Sequence, residues 1–171
     1  MSKKRQIMLC FVRSDSAVLQ ESWLNSAASY LAPRNPRNGS PYIHVEILFV
    51  PKNNKLRNQA DIYGEACSIV YSGTVHMQKK RFSRKEWEFR SMDVSEEQFN
   101  NTKNFCNNHV GDSFNHLGYF LYWTGMFAPK PSFYTYFGMS HRWYCSEIVI
   151  GALKSGQLLE DDYPNAEHPD N

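Results

Sequence analysis

An eight-residue stretch, Tyr42–Phe49, alternates in a way that predicts a β-strand, and it constrains the fold more than any other part of the chain. One face of this strand carries Ile43, Val45, Ile47 and Phe49, and the other carries Tyr42, His44, Glu46 and Leu48. His44 and Glu46 then lie on the same side, about 6.6 Å apart along the strand. A strand that serves only for packing needs neither titratable group, so we predict a functional site on this face.

A second stretch begins at Cys145 and shows the spacing of a helix that ends at Gly156. Its apolar stripe carries Cys145, Ile148, Val149, Ala152 and Leu153. The first turn of a helix has backbone N–H groups without acceptors and the positive end of the helix dipole, which lower the pKa of a thiol. A nearby imidazole would lower it further and act as general base. The pattern therefore favours a Cys145–His44 couple, although a buried, inert core cysteine would show the same spacing.

The two stretches together resemble the circularly permuted papain-like amidases of the NlpC/P60 superfamily, in which a strand His-x-Glu precedes a helix-opening Cys-Ser-Glu. The branch that the chain resembles is shared by bacterial YiiX-type proteins and by proteins of poxviruses and other large DNA viruses. Shorter pieces agree in the same order within residues 40–156, namely 68–70, 73–75, 81–82, 87–89, 94–98, 105–106, 111–115 and 118–119. The resemblance implies a cysteine hydrolase or acyltransferase that acts on amide or ester bonds.

The resemblance also implies roles for further residues. Glu46 would orient His44, but in papain-like sites the orienting group often lies on a neighbouring strand, so Ser68 and Ser72 compete with it. The backbone N–H of Cys145 would be one donor to the oxyanion. Tyr42 is a candidate for a second donor, or else an amphipathic residue at a strand end. Two residues that precede the nucleophile, Trp143 and Tyr144, join Tyr42 as candidate substrate-binding residues.

The order of predicted elements indicates one α+β domain over residues 1–171, with an acidic tail from about residue 157. An antiparallel sheet would carry the histidine, and helices would pack against it. We predict strands over 6–12, 67–72, 74–78 and 86–94, a helix over 16–31, a loop over 33–41 and a polar connection over 52–61. Ser95 and Gln98 form a capping box that opens a helix with Phe99, Cys106 and Val110 directed inward.

Residues 114–144 hold 12 of the 25 aromatic residues, of which the chain has 4 Trp, 10 Tyr and 11 Phe. We expect a buried helix at first and an aromatic loop after residue 128, leading to Cys145. Large side chains of this kind cover a small core, or they form an apolar wall for a lipidic or aromatic substrate. A basic patch, Lys79–Arg81 with Arg84 and Lys85, is typical of a solvated turn, with phospholipid headgroups or an acidic partner as the alternative.

Composition limits which partners, cofactors and cellular locations we expect for this chain. A net charge of +2 gives no reason to expect a nucleic-acid partner. Four cysteines without a metal-ligand spacing predict no metal site and no cofactor, and a set made of His44, Glu46, His141 and Cys145 is the weaker alternative. No apolar stretch approaches the roughly 20 residues of a membrane span, although peripheral membrane contact stays open. The residues after Met1 do not read as a signal peptide, so we expect an intracellular protein with reduced thiols, in an infected cell or a virion if the viral branch applies.

Three functions follow from the sequence. The first is a cysteine amidase or thiol protease, in which Cys145 attacks a carbonyl and His44 transfers the proton. The second keeps the same site for a lipid acyl hydrolase or acyltransferase. The third is a binding or scaffold module that retains the fold, with an inert Cys145.

Overall fold

The secondary-structure elements run from strands at the start of the chain to helices near its end. The computed structural model describes residues 4–13, 42–52, 60–70, 73–118 and 131–164. The strands are β1 (Arg5–Arg13), β2 (Tyr42–Phe49), β3 (Asp61–Ser68), β4 (His76–Ser83), β5 (Trp87–Val94), β6 (Ser113–Phe114) and β7 (Arg142–Trp143). Helix α1 spans Glu96–Asn108, a 3-10 helix spans Pro131–Phe137, and helix α2 spans Cys145–Ser155. The predicted α+β class is confirmed.

The main sheet is antiparallel throughout, with the strand order β4-β3-β2-β1-β5. One face shares a core with α1 and α2, and this core includes Ile47, Phe49, Phe99, Ile148 and Val149. The other face carries a second core, which includes Cys10, Leu48, Ile62, Phe82 and Trp87. Alternate side chains of β2 therefore pack into the two cores in turn. His44 and Glu46 lie on the same face of the sheet as the second core.

The start of β2 departs from strict alternation. The β1–β2 register shifts before His44, which is the signature of a β-bulge. Tyr42 packs on Phe11, with 5.4 Å between the ring centroids, and its hydroxyl donates to Glu88. Phe11 lies opposite both Glu88 and Val45 in the sheet, so Tyr42 shares their face. The prediction that Tyr42 shares a face with His44 is wrong, because the bulge reverses the alternation there.

Strands β3 and β4 do not lie where the sequence pattern places them. We predict strands over 67–72 and 74–78, yet β3 starts at Asp61, at the end of the predicted polar connection, and β4 continues to Ser83. The two strands pair over their full length, from Asp61 opposite Ser83 to Ser68 opposite His76. This pairing outweighs the weak strand propensity of residues such as Gly64. A Cβ at Gly64 would lie 2.6 Å from the carbonyl oxygen of Phe49, so the glycine permits close packing on β2.

The strands predicted over 6–12 and 86–94 are confirmed as β1 and β5. The capping box is also confirmed: Gln98 N–H donates to Ser95 Oγ, and Ser95 N–H donates to Gln98 Oε1. Val110 is a wrong prediction, because α1 ends at Asn108 and Val110 is 51% exposed in the turn that follows. Helix α2 begins at Cys145 and is followed by Gly156, as predicted.

The aromatic stretch before α2 is more ordered than the predicted loop. Pro131–Phe137 forms the 3-10 helix, and β7 then pairs in parallel with β6. The predictions for 16–31, 33–41, Ser72, 119–130 and the end of the tail fall on residues outside the described ranges. Among the described residues, no helix combines the length and the hydrophobicity that crossing a membrane requires.

Candidate active site

The predicted nucleophile and base meet where β2 separates from β3. The β2–β3 ladder extends only from Phe49 to Ile47, which lies opposite Cys67. Among the described strands, the earlier part of β2 pairs with β1 alone. Helix α2 packs against β2 in their shared core, and its first residue, Cys145, reaches His44 at this opening.

The Cys145 thiol is hydrogen-bonded to the His44 imidazole. Burial alone would raise the pKa of Cys145, but the hydrogen bond to His44 and the positive charge of this residue outweigh it. The backbone N–H groups of Val45 and Ser146 also lower the pKa of this thiol. The pKa of Cys145 therefore lies below its ordinary value, which favours the reactive thiolate.

His44 shows the complementary shift. Burial alone would lower the pKa of His44, since only 14% of its side chain is exposed. Hydrogen bonds to Cys145 and Glu46, and the negative charges of both, instead raise the pKa of His44 well above its ordinary value. These opposite shifts favour a thiolate paired with an imidazolium over a neutral thiol and imidazole.

Glu46 makes the shorter of two side-chain contacts to the far side of the His44 ring. Its Oε1 lies 3.2 Å from Nε2 of His44, and its side chain is 2% exposed. Ser68 Oγ lies 3.5 Å from the same Nε2, at the outer limit for a hydrogen bond. Because Nε2 faces Glu46, Nδ1 is the ring nitrogen left for the thiol of Cys145.

Lys80 is a member of this site that sequence reasoning missed. Its Nζ lies 2.6 Å from Oε1 of Glu46, and 27% of its side chain is exposed. The ammonium also lies 4.8 Å from the ring centroid of Phe82 and 4.7 Å from that of Trp87. Burial would raise the pKa of Glu46, but hydrogen bonds and charges from His44 and Lys80 hold it below its ordinary value. Glu46 is thus an ionised carboxylate held between two cations.

A signal for Lys80 was present in the sequence. Lys80 and Phe82 are two residues apart, so they share a strand face, and Phe82 is fully buried. Lys79 and Arg81 lie on the opposite face and are exposed. Interpreting the basic patch as one solvated unit combined two faces of β4 that have different environments.

The three candidate substrate-binding residues bond elsewhere in the fold. The Tyr42 hydroxyl donates to Glu88. Trp143 Nε1 donates to Asp112 Oδ2 at 3.0 Å, and the Tyr144 backbone N–H donates to Glu147 Oε2 at 3.1 Å. These contacts show Trp143 and Tyr144 fixing the entry to α2, which positions the nucleophile.

Glu147, the glutamate of the Cys-Ser-Glu motif in the first turn of α2, is a buried acid to which the sequence analysis assigned no role. Glu147 is only 3% exposed. Burial raises the pKa of Glu147 to about 8, the Tyr144 N–H and the Asn115 amide oppose this shift, and a Cys145 thiolate adds to it. Glu147 is therefore mostly protonated at pH 7 and adds little negative charge near Cys145.

His141 does not join the alternative metal set with His44, Glu46 and Cys145. It lies instead with His109 and Asp112, and one ligand atom from each of these three residues lies within 4.8 Å of the others. His109 and His141 line a groove of about 510 Å³. Neither His44 nor Cys145 is among the described residues that line this groove, whereas Glu147 of α2 is.

Comparisons of this chain with family models, curated proteins and solved structures found no match. Function must therefore be argued from the site. It offers a thiol with a lowered pKa, an imidazole that can transfer protons, and a carboxylate–lysine pair that holds the imidazole.

Proposed function

We propose that this protein is a cysteine hydrolase that cleaves an amide, peptide or isopeptide bond through an acyl-enzyme on Cys145. The observation that carries the proposal is the hydrogen-bonded Cys145–His44 pair, with the thiol at the start of α2 and its pKa lowered. Cys10 provides a contrast within the same chain, because burial and the charge of Glu46 raise its pKa well above the ordinary value. A reactive role suits Cys145, and a structural role suits Cys10.

In the proposed reaction, the Cys145 thiolate attacks the carbonyl carbon of the substrate, and the C=O electron pair moves to the oxygen. The backbone N–H of Cys145, in the first turn of α2, is a donor for this oxyanion. The His44 imidazolium gives its proton to the leaving nitrogen as the C–N bond breaks, which leaves a thioester. Neutral His44 then takes a proton from water, whose oxygen attacks the thioester and releases the acid and the thiolate.

Glu46 and Lys80 act on this reaction through His44. The carboxylate holds Nε2, keeps the ring oriented toward the thiol and stabilises the imidazolium. Lys80 keeps Glu46 ionised despite its burial and fixes its position. We therefore assign Cys145 and His44 as catalytic residues, and Glu46 and Lys80 as positioning residues.

The proposal includes the fold family. A circularly permuted papain-like domain of the NlpC/P60 type would have a histidine strand before a cysteine helix, packed together beside an antiparallel sheet. The order of β2 and α2, and their contact in one core, support this assignment. We extend the proposal to a single intracellular domain, where reducing conditions keep the nucleophile a free thiol.

The decisive test is the rate of iodoacetamide alkylation at each cysteine, measured against pH by mass spectrometry. Variants are His44→Ala and, as a matched control, His116→Ala, whose histidine is exposed. We expect the wild-type Cys145 midpoint to lie well below the value of about 8.5 for a free thiol. It should rise in His44→Ala and stay in place in His116→Ala. Slow alkylation of Cys145 that is identical in all three proteins would overturn the couple and favour a non-catalytic module.

A second candidate function, thiol-dependent lipid acyl hydrolysis or transfer, is favoured by one observation. The 3-10 helix contacts β7, which leads into Cys145, and it exposes Tyr136 and Phe137 by 87% and 65%. Exposed aromatic side chains of this size suit an apolar acyl chain. A peptide anilide and a long-chain acyl ester can be compared as substrates of wild type and Cys145→Ala. The substrate whose turnover requires Cys145 identifies which of the two functions applies.

A further inference from the structure

Two histidines and one aspartate converge beyond the end of α1, away from the Cys–His couple. We propose that His109, Asp112 and His141 bind one divalent transition-metal ion, with Zn²⁺ as the best match. None of these three proposed ligands is Cys145, His44, Glu46 or Lys80, so the metal site does not depend on the proposed hydrolase. The proposal rests on backbone placement, on the ligand set and on the packing around it.

The backbone brings the aspartate and the second histidine together. Ser113 of β6 lies opposite Arg142 of β7 in a parallel ladder, so the residues just before them, Asp112 and His141, are neighbours. Trp143 O accepts from the N–H of Asn115, which extends the same ladder. Residues distant in sequence are thus fixed by main-chain hydrogen bonds rather than by side-chain contacts alone.

His109 reaches the same point through a tight turn after α1. The Asp112 N–H donates to the His109 carbonyl at 3.0 Å, and Gly111 has a φ of +94°, which favours glycine. The turn is joined to the chain before β4, because Gly111 N–H donates to Val75 O at 2.9 Å and Val75 N–H donates to Asp112 O at 2.8 Å. The side chains of His109 and Asp112 are 17% and 16% exposed, so they are held within the fold.

The ligand set is one that Zn²⁺ uses in proteins. Two imidazoles and one carboxylate leave an open position, as in zinc sites that carry a water or an external ligand. Nδ1 of His109 lies 2.7 Å from Oδ2 of Asp112, and each of the three residues has one donor within 4.8 Å of the others. Donors on a tetrahedral Zn²⁺ lie about 3.4 Å apart, a value between the 2.7 Å contact of His109 with Asp112 and the 4.8 Å limit for the whole set.

Trp143 contacts all three proposed ligands. Its Nε1 donates to Asp112 Oδ2 at 3.0 Å, which is the kind of second hydrogen bond that orients a metal ligand. The His141 ring stacks on the indole at an interplanar angle of 16°, and the His109 ring lies edge-on to it with 4.8 Å between centroids. Phe105 packs against both rings, with its centroid 4.5 Å from that of His109 and 5.8 Å from that of Trp143. The two imidazoles are therefore positioned by aromatic contacts.

The open position would face a space that admits a ligand. His109 and His141 line the groove of about 510 Å³, together with Trp143 and Glu147. A metal ion at this wall would take its remaining ligand from the groove, as water or as an anionic or nitrogen group of a small molecule.

The test is Zn²⁺ binding to the full chain after metal removal, measured by isothermal titration calorimetry. We expect one equivalent in wild type and an affinity about 100-fold weaker, or worse, in His109→Ala and His141→Asn, because a ligand is lost. Trp143→Phe keeps the aromatic packing but loses the hydrogen bond to Asp112, so a loss on the order of 10-fold is expected. Cys145→Ser and His116→Ala should bind as wild type does.

Cobalt substitution gives an independent readout. Co²⁺ at this site should show the visible absorption of a nitrogen–oxygen ligand set, without a thiolate charge-transfer band, and near-ultraviolet circular dichroism should confirm that each variant is folded. Absence of binding to the wild type would overturn the proposal. So would binding that is lost in Cys145→Ser or retained in folded His141→Asn. The hydrolase proposal is tested by a different measurement, the alkylation of Cys145. Each proposal can therefore fail while the other stands.

Discussion

Lys80 and Glu46 form an ion pair with 2.6 Å between Nζ and Oε1, although β3 lies between their strands. Lys80 pairs with Gly64 of β3 in the ladder. The next β3 residue on the same face is Ala66, which is fully buried. Small side chains at these two positions leave room for the lysine to cross β3 to Glu46. The ion pair therefore links the edge strand β4 to the residue that holds the His44 ring.

Replacing Lys80 should destabilise the fold. Lys80→Met leaves a buried carboxylate with one cation fewer, and we expect a loss of about 2–3 kcal/mol in the free energy of unfolding. The exposed neighbour provides a control, since Lys79→Met should change stability by no more than about 0.5 kcal/mol. Urea unfolding at pH 7 measures both, and equal effects would mean that the Lys80–Glu46 pair contributes nothing specific.

Glu46 and Ser68 compete as the group that orients His44, and substitution separates them. Glu46→Gln keeps the shape but removes the charge that stabilises the imidazolium, so the alkylation midpoint of Cys145 should rise. We expect a rise of about one to two pH units, because a hydrogen bond to a charged group contributes about 1.5–3 kcal/mol. Ser68→Ala should leave the midpoint in place. The reverse pattern would assign the orienting role to Ser68.

The elements of the site that the sequence predicts are those with strong local signals. The alternation of β2 and the helical stripe after Cys145 each place a side chain without reference to the rest of the chain. The local pattern places Lys80 on the same strand face as Phe82, but it could not identify Glu46 as its partner, because that contact depends on how β2, β3 and β4 pair. The His109 cluster depends likewise on the pairing of β6 with β7. Such registers are set by tertiary packing, which single-strand patterns do not encode.

The same reasoning explains the displaced strands. Residues 61–66 include Gly64 and alternate weakly, so local propensity favours a connection, whereas pairing with β4 makes them a strand. The bulge at the start of β2 is equally invisible in the pattern, and it moves Tyr42 to the face of Val45. The side of a strand that a residue occupies was predicted correctly for His44 and Glu46 and incorrectly for Tyr42.

Glu147 should make stability depend on pH in the direction opposite to most carboxylates. Its folded pKa of about 8 lies above an unfolded value of about 4.3, so its protonated form stabilises the fold below pH 4. That contribution is lost as the pH rises from about 4 to 8. Glu147→Gln should therefore melt at a higher temperature than wild type at pH 8 and show a flatter profile.

Thermal unfolding followed by circular dichroism between pH 5 and 8.5 measures the effect of Glu147→Gln. Since the neutral amide removes a charge that burial disfavours, the gain at pH 8 should be on the order of 2–5 kcal/mol. The exposed Glu160 provides the matched control, and Glu160→Gln should follow the wild-type profile. Parallel profiles for wild type and Glu147→Gln would show that Glu147 is ionised in the fold at neutral pH.

Cys10, Cys67 and Cys106 are fully buried, and Cys145 alone among the four cysteines is partly exposed. Toward an electrophile that reacts with thiols, the native chain should therefore behave as though it had one cysteine. A library of acyl electrophiles would be sorted by fit to the site rather than by chance reactivity with several thiols. The identity of the adduct that forms fastest would then report which acyl groups the surrounding side chains accept, before any natural substrate is known.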